Sequence, residues 1–339
     1  MALSEPPEHS REEPAREEPA EPFAEDEGRV VDIAPTAADR LDRVVAKSMD
    51  VSVGEARRML ERGAVDLNGV RVDARAKGLV ISPKDQVAVR WGYADRQLRP
   101  KPGGVGSNVL AQAADAVIME KRAGVAVHPL QPHDDTTVLN DVVEIYPQVF
   151  GVGEGGLRSG VVHRLDLEVS GCVAFALKQD AWARLREAVS AGKNDDGVLK
   201  RYHAVVRPGA CGKRLHDSFD AEDGQLVRWL KVVRSNPAFV SVVESNTEGA
   251  RRCSLAWRWL KRTETHGLLQ VDLHTGFLHQ IRAMLADAGA PILGDESYGI
   301  DPPGPILLHA YQLRLPGIEA VCPWPERFAT SAVALGLTE

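Results

Sequence analysis

The chain has 339 residues, 44% hydrophobic and 26% charged, with a net charge of −7; this is the composition of an ordinary globular protein and excludes collagen-like, disulfide-rich and wholly disordered classes. No apolar run approaches the roughly 18 to 20 residues of a membrane-spanning helix, and the start lacks the basic-then-apolar pattern of a signal peptide, so a cytoplasmic protein with no membrane partner is expected. Cys172, Cys211, Cys253 and Cys322 are too widely spaced for a metal knuckle or a redox pair, and no metal site is expected.

Residues 1–35 hold eleven acidic and three basic residues, a local −8, in a Glu/Pro repeat with few large apolar side chains. Such a segment cannot bury enough surface to offset ordering entropy and is expected to be a disordered acidic tail. Residues 36–105 carry a local +5, a modest footprint for phosphate binding. Leu41, Val44, Val45 and Met49 recur at helical steps and predict a helix starting near Thr36. Ser52-Val53-Gly54-Glu55 has the form of a capping box and predicts a second helix, with Ala56, Met59 and Leu60 as its apolar stripe and Arg57, Arg58 and Arg62 on its other faces. Ala64 to Leu67, Asn68-Gly69 and Val70 to Val72 read as strand, tight turn and strand, and Gln86 to Arg90 as a closing strand. Residues 36–92 resemble the S4 RNA-binding domain. The resemblance implies that Arg57, Arg58 and Arg62, with Lys47 or Arg43, meet RNA backbone.

The Pro/Gly-rich stretch around residues 93–106 predicts a linker. It precedes an expected catalytic domain over 107–325 and a C-terminal segment over 326–339. Short Val/Ile/Leu-rich runs alternating with turn signals predict an α+β domain on a mostly antiparallel or mixed central sheet.

His163-Arg164-Leu165-Asp166 places three ionisable side chains before an apolar strand, Cys172 to Leu177. Alone, this also fits a surface loop in which Arg164 and Asp166 pair. Lys200 to Val206 reads as a strand with Tyr202, Ala204 and Val206 on one side. Leu273 to Arg282 reads as a strand, a glycine turn and the start of a helix, followed by Gly289-Ala290-Pro291-Ile292-Leu293-Gly294-Asp295 and Tyr298. In this order the His-Arg-Leu-Asp, Lys-x-Tyr and His-Gln-Ile-Arg segments resemble the RluA-type pseudouridine synthases. Glu120 to Pro129 and Leu308-His309-Ala310 extend the likeness over about residues 107–320.

The resemblance implies a pseudouridine synthase fold and an RNA isomerase in which Asp166 is the nucleophile, Tyr202 stacks beneath the target uracil and Arg282 pairs with Asp166. It places Arg164 beside the vacated position in the RNA, and puts His163 and His279 among the substrate-binding residues. Moving the ribose bond from N1 to C5 involves no net redox change or hydrolysis, so no cofactor is expected. A carboxylate can serve by attacking the sugar or the ring, or as a base at the ribose, and the sequence leaves these open. Desolvation raises a carboxyl pKa and an adjacent guanidinium opposes the rise. The target base must be flipped out, and an aromatic face replaces stacking worth about 1 to 3 kcal/mol per base. Val169, Phe277-Leu278 and Arg122 depart from the family pattern at supporting or RNA-contacting positions. Large-subunit rRNA is the expected partner, with tRNA as the alternative substrate, and a monomer is expected. Two other readings are a non-catalytic RNA-binding or ribosome-assembly protein on a degenerate synthase fold, and a hydrolase using Asp166 and Glu168 on one face of a strand. Retention of Asp166, Tyr202 and Arg282 counts against the first, and nothing else positions a sugar or a water for the second.

Overall fold

A computed structural model describes residues 30–49, 51, 53–61, 63–90, 98–131, 133–191, 197–209, 217–235, 237–299 and 304–338. The chain divides into two compact units, residues 1–93 and 94–339. The proposed acidic tail, Ser52 and Arg62 lie outside the described residues, apart from the last few positions of the tail. Among the described residues no helix is long and apolar enough to cross a membrane.

In the first unit, helices α1 (Leu41–Met49) and α2 (Val53–Glu61) pack their apolar stripes over a sheet. Leu41, Val45, Ala56 and Leu60 meet Ile33, Val65, Val87 and Val89 in one core. The strands are β1 (Val30–Ile33), β3 (Val65–Leu67), β4 (Val70–Val72) and β6 (Val87–Arg90), in the order β1-β6-β3-β4. Asn68 and Gly69 take φ of 52° and 78°, the left-handed pair that a two-residue hairpin turn requires. The first helix starts later than its periodicity predicts. Asp39 and Arg40 form β2, paired with β5 (Val80–Ile81), and that pairing holds the backbone extended up to Leu41.

The buried Asp42 carboxylate accepts from Arg40 Nε and Nη2 (3.1 and 2.9 Å) and from Arg57 Nε (2.8 Å). Burial alone would raise its pKa. The hydrogen bonds from Arg57 and Arg40 outweigh burial and hold it below the usual range.

The second unit is built on a ten-stranded sheet: β7 (Val109–Gln112), β8 (Ala116–Lys121), β9 (Ser170–Ala176), β10 (Leu199–Val206), β11 (Asp223–Ser235), β12 (Ala238–Val243), β13 (Arg251–Arg262), β14 (Gly267–Leu273), β15 (Leu308–Leu315) and β16 (Ile318–Val321). The order is β12-β11-β13-β14-β10-β15-β9-β8-β7, with β16 on β15. Only β9 and β15 pair in parallel. The expected α+β class with a mostly antiparallel sheet is therefore the fold observed.

Every residue of β9 is buried, as a strand covered on both faces requires. Cys172, Ala174 and Ala176 face the helix Gln179–Ala191, while Val173 and Phe175 face the helix Val138–Ile145. Farther along the sheet, Tyr202, Ala204 and Val206 of β10 join Trp257, Leu269, Met284 and Leu285 in a core under the helix Gln280–Asp287. Residues 98–107, which composition reads as the end of a linker, lie against this unit. Asp141 accepts from Gly106 and Ser107 N–H (2.9 and 3.0 Å), Asn140 donates to Lys101 O (2.7 Å), and the Arg99 guanidinium lies 4.5 Å from the Phe150 ring centre.

At Gly171 φ is +123°, and a Cβ there would collide with the backbone of Ala310 on β15. Glycine thus permits the one parallel pairing. Replacing it, as Gly171→Ala, is expected to lower the unfolding free energy by on the order of 3 kcal/mol in urea titrations; a loss under about 1 kcal/mol would show that the strands can separate without penalty.

Candidate active site

The residues from Val162 to Glu168 form a loop entered from an isolated bridge, Val161 to Phe175, and leading into β9. Asp166 and Glu168 therefore do not share a strand face, which corrects the geometry on which the hydrolase reading depended. The reason lies in Lys121, at the end of β8 and wholly buried. Its Nζ donates to the carbonyls of Leu167 (2.9 Å), Val169 (2.6 Å) and Arg122 (3.2 Å), taking acceptors that a neighbouring strand would otherwise use. Burial lowers the Lys121 pKa to about 8, against the opposing charges of Asp166 and Glu168. Sequence reading gave Lys121 no role; a lysine closing the apolar run Ala116 to Met119 was the available signal.

Asp166 and Arg282 meet across 116 residues of chain, with Arg282 Nη1 donating to Asp166 Oδ2 at 3.3 Å. Arg282 is 5% exposed. Its Nε and Nη2 grip the carboxylate of Asp295 at 2.8 and 2.9 Å, a bidentate pair. Asp295 also accepts from Ser297 and Tyr298 N–H (3.0 and 3.1 Å). Burial disfavours the Arg282 charge, but Asp295 first and Asp166 second more than compensate and raise its pKa, so the guanidinium stays charged. The Arg282 guanidinium carbon lies 5.3 Å from the Tyr298 ring centre. Glu168 is 3.8 Å from Arg282 Nη1 and exposed. Asp295 and Tyr298 belong to the turn-rich segment after the helix, where motif order alone gave them no partner.

His279 precedes that helix in a left-handed conformation, φ 50°. Its Nε2 lies 4.0 Å from Asp166 Oδ2, and its Nδ1 is 3.1 Å from the Tyr298 hydroxyl, which accepts from Val240 N–H at 2.8 Å. Tyr202 is buried on β10 beside Val169 in the same core. Burial, then the charge of Asp166, raises the Tyr202 phenol well above its usual pKa. Nucleophile candidate, aromatic face and fixed guanidinium therefore share one corner of the sheet.

The other expected site residues fall elsewhere. The structure puts His163 in the scaffold beneath the loop, where its Nε2 accepts from Ala174 N–H at 3.1 Å, a neutral ring with its proton on Nδ1. Arg164 is exposed and makes no side-chain hydrogen bond or ion pair among the described residues; Asp166 takes Arg282 instead. Arg57 and Arg58 lie in the first unit, Arg57 engaged with Asp42 and Arg58 exposed.

A loop carboxylate, a buried tyrosine and a carboxylate-locked arginine thus lie together on a mostly antiparallel sheet. The family RNA pseudouridylate synthase matches residues 115–287. A Chloroflexus aurantiacus protein named as an RNA pseudouridine synthase is 32% identical over 288 residues, 81% of this chain and 80% of that one. One from Synechocystis is 28% identical over 313 residues, 88% and 90% of the two chains. Haemophilus ducreyi ribosomal large subunit pseudouridine synthase D is 26% identical over 270 residues, 78% of this chain and 74% of that one. Among solved structures, human RNA pseudouridylate synthase domain containing 4 superposes with a TM-score of 0.52 at 22% identity, over 68% of this chain and 94% of that one, a likeness of fold. The chain belongs to the RNA pseudouridylate synthase family.

Burial, helped by the charges of Lys200 and Arg186, pushes His163 down to about 4, and burial does the same to His203, whose Nδ1 accepts from Trp324 Nε1 at 2.8 Å. In the unfolded chain both titrate near 6.5. Between those values the unfolded chain binds more protons, so the stability these rings contribute is complete above pH 6.5 and is lost as pH falls toward 4. Each ring steepens the acid limb by at most about 1.4 kcal/mol per pH unit. Urea melts of His163→Gln, whose amide can still accept from Ala174, should show a flatter limb than wild type; an equally steep one would remove the neutral His163 from the account.

Proposed function

We propose that this enzyme isomerises uridine to pseudouridine in large-subunit ribosomal RNA, with Asp166 as nucleophile. The observation that carries the reading is the Asp166–Arg282–Asp295 chain beside Tyr202: one Asp166 oxygen is bonded to Arg282, while the other accepts no hydrogen bond among the described residues. The open oxygen is the reactive one. The Asp166 side chain is 21% exposed, enough for a flipped nucleotide to reach it. Tyr202 supplies the stacking face, and Arg164, exposed and uncommitted, stabilises the RNA at the vacated position. In the first unit, an S4-like module, Arg57 and Arg58 meet RNA backbone together with Arg62; the Asp42 carboxylate orients Arg57 while leaving its terminal nitrogens available. Relatives named for the ribosomal large subunit in Haemophilus ducreyi and Yersinia pestis support that substrate over tRNA.

The reaction breaks the bond from C1′ to N1, forms one from C1′ to C5, gives the C5 proton to solvent and returns a proton to N1. Large-subunit RNA labelled with tritium at uracil C5 should therefore release tritium with wild type, while Asp166→Asn should release at least about a thousandfold less, the loss expected for a removed covalent catalyst. Pseudouridine mapped in rRNA from cells lacking the gene should lose at least one position, restored by wild type and not by Asp166→Asn. Unchanged rRNA in the knockout would overturn the substrate, and rescue by Asp166→Asn would overturn the nucleophile.

A further inference from the structure

The helix Gln179–Ala191 carries three fasteners at positions i, i+3 and i+7, all on one face. Gln179 Oε1 accepts from Gly153 N–H (2.7 Å), Trp182 Nε1 donates to Val161 O (3.0 Å), and Arg186 Nη1 donates to Val162 O (2.9 Å). Gly153 has φ +70°, and a Cβ there would collide with the Trp182 indole, so the loop around it is pressed onto that face. The fastened segment leads directly into His163-Arg164-Leu165-Asp166. The helix thus fixes where the catalytic loop begins.

On this scaffold Glu154 stands between two arginines. Arg158 Nη1 is 3.0 Å from its Oε2 and Arg186 Nη2 is 4.0 Å from its Oε1. Among the described residues it is the only carboxylate within ion-pair distance of either. All three side chains are about half exposed. Arg164 is exposed nearby, and the charges of Arg158 and Arg164 both act on the buried His128. Behind the strip lies Lys200, 6% exposed, whose Nζ has no hydrogen-bond partner and whose charge reaches His163. Two guanidiniums therefore share one carboxylate, while Arg164 has no ion pair and Lys200 no hydrogen-bond partner among the described residues. That excess is what an incoming phosphodiester would neutralise.

We propose that Arg158, Arg186 and Arg164 form a binding strip for RNA phosphodiesters flanking the target nucleotide, and that Glu154 occupies it until RNA displaces the carboxylate. This rests on the enzyme acting on RNA. Glu154 is then an internal competitor. It holds the two guanidiniums near each other, and its removal favours RNA, whereas a merely structural glutamate would weaken binding when removed.

The test measures KM and kcat by tritium release, and Kd by filter binding between 50 and 300 mM salt, with full-length enzyme and an in vitro transcript of large-subunit RNA. Arg158→Gln with Arg186→Gln should raise KM and Kd about tenfold or more and reduce the salt slope by about 1.4 to 1.8, two phosphate contacts. For Arg158→Gln alone, which leaves the bond from Arg186 to Val162 in place, the effect should fall on KM rather than kcat. Glu154→Gln should tighten Kd about threefold or more. Arg158→Gln alone, which spares the bond from Arg186 to Val162, should flatten the slope by about half as much if the double variant fails to fold. A wild-type slope in the arginine variants, or weaker binding in Glu154→Gln, would overturn the proposal. So would equal protection of wild type and the arginine variants by inorganic phosphate at millimolar concentration, which would mark another anion site. A wild type that binds RNA yet releases no tritium would fail the functional reading alone, since the slopes are read from binding.

Discussion

The placement of Arg282 against Asp166 depends on a second, buried carboxylate. Asp295 is fully buried and accepts four hydrogen bonds, two from Arg282 and two from the backbone just after it. A buried charge is tolerated only when its partner and its remaining lone pairs are satisfied. Arg282 has the same requirement, since burial would otherwise disfavour its charge. The pair resolves both needs and fixes the plane of the guanidinium. The remaining terminal nitrogen is thereby aimed at Asp166.

Sheet order decides what that nitrogen finds. Asp166 precedes β9, Tyr202 is on β10, and Arg282 follows β14; the strands lie side by side as β14-β10-β15-β9. β15 is the hinge of this arrangement, antiparallel to β10 and parallel to β9. His309 on β15 makes the junction specific. Its Nε2 is 3.0 Å from Cys322 O, which calls for a proton there, so Nδ1 accepts from the Ser170 hydroxyl at 2.9 Å. The Leu-His-Ala segment thus joins the strand that starts after the catalytic loop to the rest of the sheet. A packing defect at Gly171 would be felt at Asp166 for the same reason.

Much of this was legible in the residues. Hairpin chemistry at Asn68-Gly69 and the alternation of Tyr202, Ala204 and Val206 reported backbone geometry directly, because each depends only on neighbours in sequence. The convergence of Asp166, Tyr202 and Arg282 was legible through motif order. What stayed hidden depended on distant partners. Lys121 is only a member of the Glu120 to Pro129 segment until the carbonyls of Leu167 and Val169 are brought to it, and Asp295 reads as a turn residue until Arg282 arrives. The bond from Ala174 N–H to the His163 ring nitrogen was hidden for the same reason. The same blindness placed the start of α1 too early, since the pairing of Asp39 and Arg40 with β5 is not local.

The cations around the catalytic loop divide into two kinds, and the division explains how the site can be both rigid and open. Lys121 and Arg282 are buried, and their bonds are directed inward to carbonyls and carboxylates. They set the backbone of the loop and one oxygen of Asp166, so that little reorganisation is needed when charge shifts during reaction. Arg164 lies two residues from Asp166, yet remains exposed and unpaired among the described residues. Had Arg164 taken Asp166, the pair would have been exposed, screened and weak, and the carboxylate would have lost its free oxygen to a mobile partner. By giving Asp166 to the immobile arginine, the fold leaves Arg164 exposed and without an ion pair among the described residues, as its proposed contact with RNA requires.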